Sequence, residues 1–244
     1  MPHPSSSLIL LCAGAGSRMR GRVRDKILEP LEGKPVFLYS IETFSRAEIV
    51  DNVVFVTRDT SQKEAIAKAL PSEYSRCWNL HWATGGKERS HSVRNGLAAI
   101  EHAGDGLVFI HDAARPLITV GALKALEACA RVDGNATLAH RVVDTIKQAR
   151  DAGRPIRNAS FLTLNREALW AVETPQVFRR PDIARAYEMA AAQSIPVTDD
   201  TGAYELTGNP VSLVENSNPN PKLTHPFDFA WASFLLHNSG ISNQ

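Results

Sequence analysis

Residues 8–26 read LILLCAGAGSRMRGRVRDK. Four apolar residues run into a turn of small ones, and the turn runs into positive charge: Arg18, Arg20, Arg22, Arg24 and Lys26, opposed by Asp25 alone. Gly14 and Gly16 let a ligand come close to the main chain. A strand that delivers a glycine turn into a basic cluster suits a phosphate cradle. Two more polar stretches follow apolar runs in the same way. Gly85, Gly86 and Lys87, with Glu88-Arg89-Ser90-His91-Ser92 behind them, follow residues 80–83; His111-Asp112-Ala113-Ala114-Arg115-Pro116 follow residues 107–110. Backbone cradles, basic groups and a lone carboxylate are what a nucleoside triphosphate site needs. Magnesium takes one or two carboxylates and shares the phosphate oxygens, so Asp112 alone suffices as its protein ligand.

Two familiar glycine motifs are absent. A Walker loop needs Lys and a hydroxyl after its second glycine, but Arg22 and Val23 follow Gly21. A dinucleotide fingerprint needs a third glycine where Met19 stands. Each candidate also has a structural reading. Asp112 either sits beside a hydrated cation or caps a loop. Arg115 either faces a ligand or pairs with Asp112. Ser92 and Arg89 either read a base or cap and solvate a helix. Asp144, Thr145 and Lys147 either reach a second phosphate or form an exposed turn. His111, on an apolar strand, reads as a satisfied core histidine, and Cys12 as a small packed hydrophobe.

The elements that must position these residues follow from hydrophobic pattern. Residues 8–11, 52–57, 80–83, 107–110 and 136–143 read as strands. Helices are expected after Pro35, over 61–70, from Val93 through Ile100 and over 120–130. This alternation argues a mostly parallel sheet with helices on both faces, whose ligands bind at the carboxyl ends of the strands. The three polar stretches then meet on one rim. Residues 144–170 break the pattern and read as an extended hairpin arm that packs on a second subunit. Beyond it, 174–176 returns to the body, 181–193 is a helix opened by proline, 198–201 a polar turn, 211–214 a strand, 218–224 a loop carrying Lys222, and 226–236 a closing helix.

Composition narrows the class. With 244 residues, 43% hydrophobic and 22% charged, the chain has the make-up of a globular protein. A net charge of +1 provides no global field for nucleic acid or membrane. The three cysteines, Cys12, Cys77 and Cys129, lack zinc-site spacing and fit a reducing compartment. MPHPSSS lacks the features of a signal peptide, and no run reaches the roughly 20 apolar residues that span a bilayer. The expectation is one cytoplasmic α/β domain over residues 1–244.

Together the pieces resemble one family, the 2-C-methyl-D-erythritol 4-phosphate cytidylyltransferases of non-mevalonate isoprenoid synthesis. AGAGSRM with Lys26 downstream, GKPVFLYSIETF, GGKERSHSVRNGL, HDAARP, DTIK, LNREALWAVETPQVF, TDD and NPKLTHPFD occur in the family's order. The resemblance implies a Rossmann-like, glycosyltransferase-A-like nucleotidyltransferase fold with a protruding β-arm. It implies a CTP site at Cys12, Ala13, Gly14 and Ala15, with Gly86, Lys87 and Ser92 near cytosine, and Asp112 and Ala113 near the ribose and a magnesium ion held by Asp112. Arg18, Lys26 and Lys222 would surround the triphosphate and carry the catalysis. Arg115, Thr174, Thr198 and Asp199 would lie beside methylerythritol phosphate. Thr145 and Arg166 would reach that substrate in the other subunit of a homodimer joined through the 144–170 arm. The chain departs from the usual pattern at Cys12, where alanine is usual, and in its basic segment 19–26. A ribitol-5-phosphate cytidylyltransferase shares most of these motifs, and a non-catalytic CTP-binding protein on the same scaffold is the reading from another class.

Overall fold

The computed structural model describes residues 5–14, 25–100, 104–150, 157 and 159–238. Ala15 and Arg18 lie outside them. The first strand, β1 (Ser7–Leu11), is followed by a small hairpin of β2 (Pro30–Leu31) and β3 (Lys34–Pro35) that feeds α1 (Val36–Ala47). Next come β4 (Asn52–Thr57), α2 (Thr60–Ala69), the single turn α3 (Tyr74–Cys77), β5 (Asn79–Thr84), α4 (Arg89–Ala99), β6 (Leu107–Asp112), α5 (Val120–Asp133) and β7 (Asn135–Arg141). The side chains of Asp59 and Thr119 cap α2 and α5, satisfying donors that the first turn leaves open. Gly134, with φ at 83°, ends α5 in the left-handed conformation that glycine adopts most easily.

These strands form a seven-stranded sheet completed by two later ones, β10 (Trp170–Arg179) and β11 (Leu213–Glu215), in the order β11-β7-β10-β6-β1-β4-β5. Alternation in the central strands builds a core on each face. Leu8, Leu10, Phe55 and Phe109 point to one side with Phe37 and Phe44 of α1. Ile9, Val54, Val56 and Ile110 point to the other, where Val93 of α4 packs with Tyr187. Each strand is therefore apolar on both faces, as a sheet covered twice requires.

The hairpin β8 (Lys147–Ala149) and β9 (Phe161–Thr163) forms the expected arm. A 3-10 turn at Arg166–Ala168 leads from it into β10. The remaining helices are α6 (Arg180–Ala192), α7 (Asp200–Glu205) and α8 (Pro226–Asn238). Two features differ from the sequence reading. Residues 170–179 form a long strand, antiparallel to both β6 and β7, instead of a plain return to the body. Its pairing with β7 skips between Val172 and Gln176, which breaks the period-2 pattern that would have announced a strand. The polar stretch 198–201 is the start of α7, capped by Asp199.

Candidate active site

Three loops leave the carboxyl ends of β1, β5 and β6, and the sheet's own hydrogen bonding sets where they leave. Cys12 N donates to Val56 O, Gly85 N to Thr57 O and Ala113 N to Leu11 O, so the ladder continues one residue beyond each strand. Glycine is required where the loops touch. A Cβ on Gly85 would lie 2.4 Å from Cβ of Ala13, and one on Gly86 2.2 Å from Cβ of His91. Ser92 Oγ accepts from Gly86 N at 3.1 Å and donates to Glu88 O at 3.3 Å, folding the second loop onto the start of α4.

Asp112 is the electrostatic centre. Nζ of Lys222 lies 2.6 Å from its Oδ2, and Nε of Arg89 lies 3.5 Å from its Oδ1. Burial alone would raise the Asp112 pKa, but Arg89, Lys222 and Arg115 outweigh it and hold the carboxyl well below the usual range. Arg89 also grips Asp200 of α7 with two bonds, of 2.8 and 2.7 Å. Asp200 is fully buried and takes a third bond, 2.5 Å long, from Tyr187 Oη. Burial would lower the Arg89 pKa, yet Asp200 and Asp112 raise it well above normal. Arg89 is therefore a half-buried strut between two carboxylates at the edge of the cleft.

Lys26 and Lys222 arrive from far apart in sequence. Lys26 Nζ donates to Leu223 O at 3.0 Å, and Leu223 N donates to Ala114 O at 2.8 Å. The Lys222 segment is thereby tied both to the end of the first loop and to the loop bearing Asp112. The result is a cleft of about 410 Å³ lined by Ala13, Gly14, Lys26, Lys87, Asp112 and Lys222, among others. A larger hollow of about 880 Å³ lies beside Tyr39 and Tyr74, but none of Lys26, Asp112 and Lys222 lines it.

Other expected site residues serve beneath the cleft. His111 is fully buried, and burial pulls its pKa down to about 4, so the ring is neutral at pH 7. Its Nε2 must donate to Arg115 O at 3.2 Å, because a carbonyl only accepts. Nδ1 then accepts from Thr174 Oγ1 at 3.0 Å, and that oxygen accepts from Asp112 N at 3.1 Å. Thr174, expected beside the substrate, thus supports Asp112 from below. The methyl of Ala113 packs in the core, as does Cys12, whose thiol burial pushes up and keeps protonated. Arg115 donates through Nη1 to Asn220 O at 2.6 Å, and its Nε is buried without a partner among the described residues. Asp199 is occupied as the α7 cap, and Thr198 is exposed next to it.

Sequence reasoning passed over Gln62. Its side chain, 2% exposed, donates from Nε2 to Cys12 O at 3.1 Å and to Asp25 Oδ2 at 2.6 Å. It therefore ties Cys12 to Asp25, which are 13 positions apart. A lone Gln on an amphipathic helix carries no signal of that role.

A sequence model described as "IspD: 2-C-methyl-D-erythritol 4-phosphate cytidylyltransferase" matches residues 7–238. The chain belongs to the IspD family. It is 37% identical over 230 residues to the 2-C-methyl-D-erythritol 4-phosphate cytidylyltransferase of Geobacillus kaustophilus (strain HTA426), covering 93% of this chain and 95% of that one. It is 36% identical to the enzyme of the same name from Symbiobacterium thermophilum, covering 94% and 92%. Among solved structures it resembles the 4-diphosphocytidyl-2C-methyl-D-erythritol synthase of Anaerococcus prevotii, with a TM-score of 0.81, 25% identity, and 96% and 99% of the two chains covered. The fold is accordingly the Rossmann-like nucleotidyltransferase fold of IspD, and the chain is a CTP-dependent cytidylyltransferase of isoprenoid biosynthesis.

The expected residues of the arm stand apart from the IspD cleft. Thr145 and Arg166 are exposed and do not line it. Arg166 Nη1 donates to Val143 O at 2.9 Å, and Lys147 Nζ bonds Thr163 Oγ1 across the hairpin at 2.6 Å.

Proposed function

We propose that the chain joins CTP to 2-C-methyl-D-erythritol 4-phosphate, giving 4-diphosphocytidyl-2-C-methyl-D-erythritol and diphosphate, with its chemistry centred on Lys26, Asp112 and Lys222. The observation that carries this reading is the convergence of these three residues in one cleft, over glycine loops at the strand ends. The acceptor's phosphate attacks the α-phosphorus of CTP, and the bond to the diphosphate breaks. A phosphate monoester has a second pKa near 6 and is mostly dianionic at neutral pH, so no general base is needed. The barrier lies in bringing anions together, which preplaced cations lower. Lys26 and Lys222 serve as compact charges at the α-phosphate. Arg18 would add a fork-shaped donor for phosphate oxygens. The backbone at residues 12–14 and 86–87 would hold the nucleotide, with Ser92 shaping the base pocket.

Asp112 fits a magnesium ligand. It is a carboxylate held ionised in a cleft suited to phosphates, and magnesium bound largely by substrate oxygens and water needs no more than one. When bound there, the ion would neutralise charge on the leaving diphosphate.

For the acceptor, Arg115 and the 198–199 turn are the groups on this chain, and Thr145 and Arg166 of a second copy would complete them. Phe161 and Leu162 on the arm are 43% and 42% exposed, an apolar surface that a partner subunit would cover. We read the 144–170 arm as the dimerisation element of a single catalytic domain. Among the described residues no helix is long and apolar enough to cross a membrane. The cysteines are unpaired, which suits work in the cytoplasm.

Diphosphate release from purified protein with CTP and magnesium tests the reading. Release should require 2-C-methyl-D-erythritol 4-phosphate. A signal with ribitol 5-phosphate instead would move the acceptor, and CTP binding without release from either would leave a binding protein.

A further inference from the structure

Lys222 lies in a stretch, 216–225, that has neither helix nor strand between β11 and α8. Something must hold its ammonium at Asp112, and a second buried carboxylate stands behind it. Glu173 on β10 is 4% exposed. Its Oε2 accepts from Nδ2 of Asn216 at 3.1 Å and from Nδ2 of Asn220 at 2.8 Å. Its Oε1 lies 2.6 Å from Nδ1 of His140 on β7. Asn220 also donates to Thr174 O at 3.0 Å and takes Arg115 Nη1 on its own carbonyl. The Glu173 charge acts on the Arg115 guanidinium as well.

A buried carboxylate is costly unless its lone pairs are filled, and here two amides and an imidazole fill them. Few side chains other than a carboxylate accept from several donors on two sides at once. Both Asn donors come from the irregular segment, and the second stands two residues before Lys222. The irregular pairing of β10 between Val172 and Gln176 falls on this residue.

We propose that Glu173 is a positioning residue for Lys222, fastening segment 216–222 through Asn216 and Asn220 so that the ammonium stands over Asp112. The proposal rests on the reading of Lys222 as a cation of the transfer step.

The test is a double-mutant cycle. Glu173→Ala should lower kcat roughly 10- to 100-fold, the scale of a misplaced catalytic group. KM for CTP should change little, because other bonds hold the glycine loops. Glu173→Gln should recover most of kcat, since one amide oxygen can still accept from both asparagines. In a Lys222→Ala background, Glu173→Ala should cost little more, as coupled residues are non-additive. Full kcat in Glu173→Ala, or the same fall in both backgrounds, would overturn the proposal. If Glu173→Ala shows no cooperative urea transition, Asn220→Ala cuts the same tie from the other end, with the same expectations. A separate readout is independent of turnover. Acetylation of Lys222 by acetic anhydride, followed by mass spectrometry, should quicken several-fold in Glu173→Ala; an unchanged rate overturns the positioning role. A wild type without acceptor-dependent diphosphate release would overturn the proposed function, while the acetylation rate would still decide the tie.

Discussion

Asp112 and Arg166 belong to the same proposed reaction and are held in opposite ways. Asp112 is buried between Lys222 and Arg89, and Arg89 is itself braced by Asp200 and Tyr187. Arg166 is exposed on the arm, and its guanidinium bonds the carbonyl of Val143, the residue just before the arm. Asp112 and Arg89 in the cleft each bond partners drawn from two other parts of the chain. On the arm, Lys147 bonds Thr163 across the hairpin and Arg166 bonds the carbonyl just before the arm. In the proposed dimer this divides the labour: one chain builds the nucleotide side, and the acceptor side is finished by the arm of a second.

The contrast is broken most severely at Arg89. Removing it leaves Asp200 buried without its main counter-charge, and Arg89→Ala should cost about 3–5 kcal/mol in urea unfolding. A loss below about 1 kcal/mol, the size of a surface pair, would place this strut with the arm instead of the core.

Acid should also act on the cleft before it acts on the arm. Folding lowers the His111 pKa from 6.5 to about 4. Between those values the unfolded chain binds a proton that the folded chain refuses, so stability must fall as pH falls across that window. The fall is on the order of 3 kcal/mol when complete. Urea midpoints from pH 7 to 4 should show it, and His111→Asn should flatten that part of the profile. Identical profiles for variant and wild type would mean that the His111 ring takes up its proton in the folded state.

Lys26→Ala should lower kcat on the order of 10²-fold or more, as for loss of one strong transition-state donor. An unchanged kcat would remove Lys26 from the chemistry and leave it as a tie to Leu223. The smallest expected effect is on the arm. Arg166→Ala should leave the urea midpoint in place and raise KM for the acceptor phosphate about 10-fold, the worth of one charged hydrogen bond. An unchanged KM, or a protein that sediments as a monomer, would leave the arm without its proposed role.

The cleft was more legible in the sequence than its supports were. AGAGS, GGKERS and HDAARP announce themselves because each follows a short apolar run, and strand ends in a parallel sheet share one rim. The paired apolar runs made the sheet and most helices readable. Residues 170–179 were harder, because the irregular pairing around Glu173 hides the alternation of a strand. Arg89, Gln62 and Glu173 were invisible as supports: a polar residue's partner 33 positions away, as His140 is from Glu173, or 111 away, as Asp200 is from Arg89, leaves no local trace.

By itself, the amino-acid order determined the alternation of elements, the rim where the loops gather and the family to which the chain belongs. These depend on short-range regularities: hydrophobic period, glycine turns and the spacing of charge after a strand. Only the tertiary structure decided which charges pair. It set Lys222 on Asp112, turned Arg89 into a strut, sent Thr174 beneath the site and made Glu173 the anchor of an irregular segment. The physical reason is that a buried charge is stable only with partners at hydrogen-bond distance, and those distances exist only once the sheet has brought remote segments together.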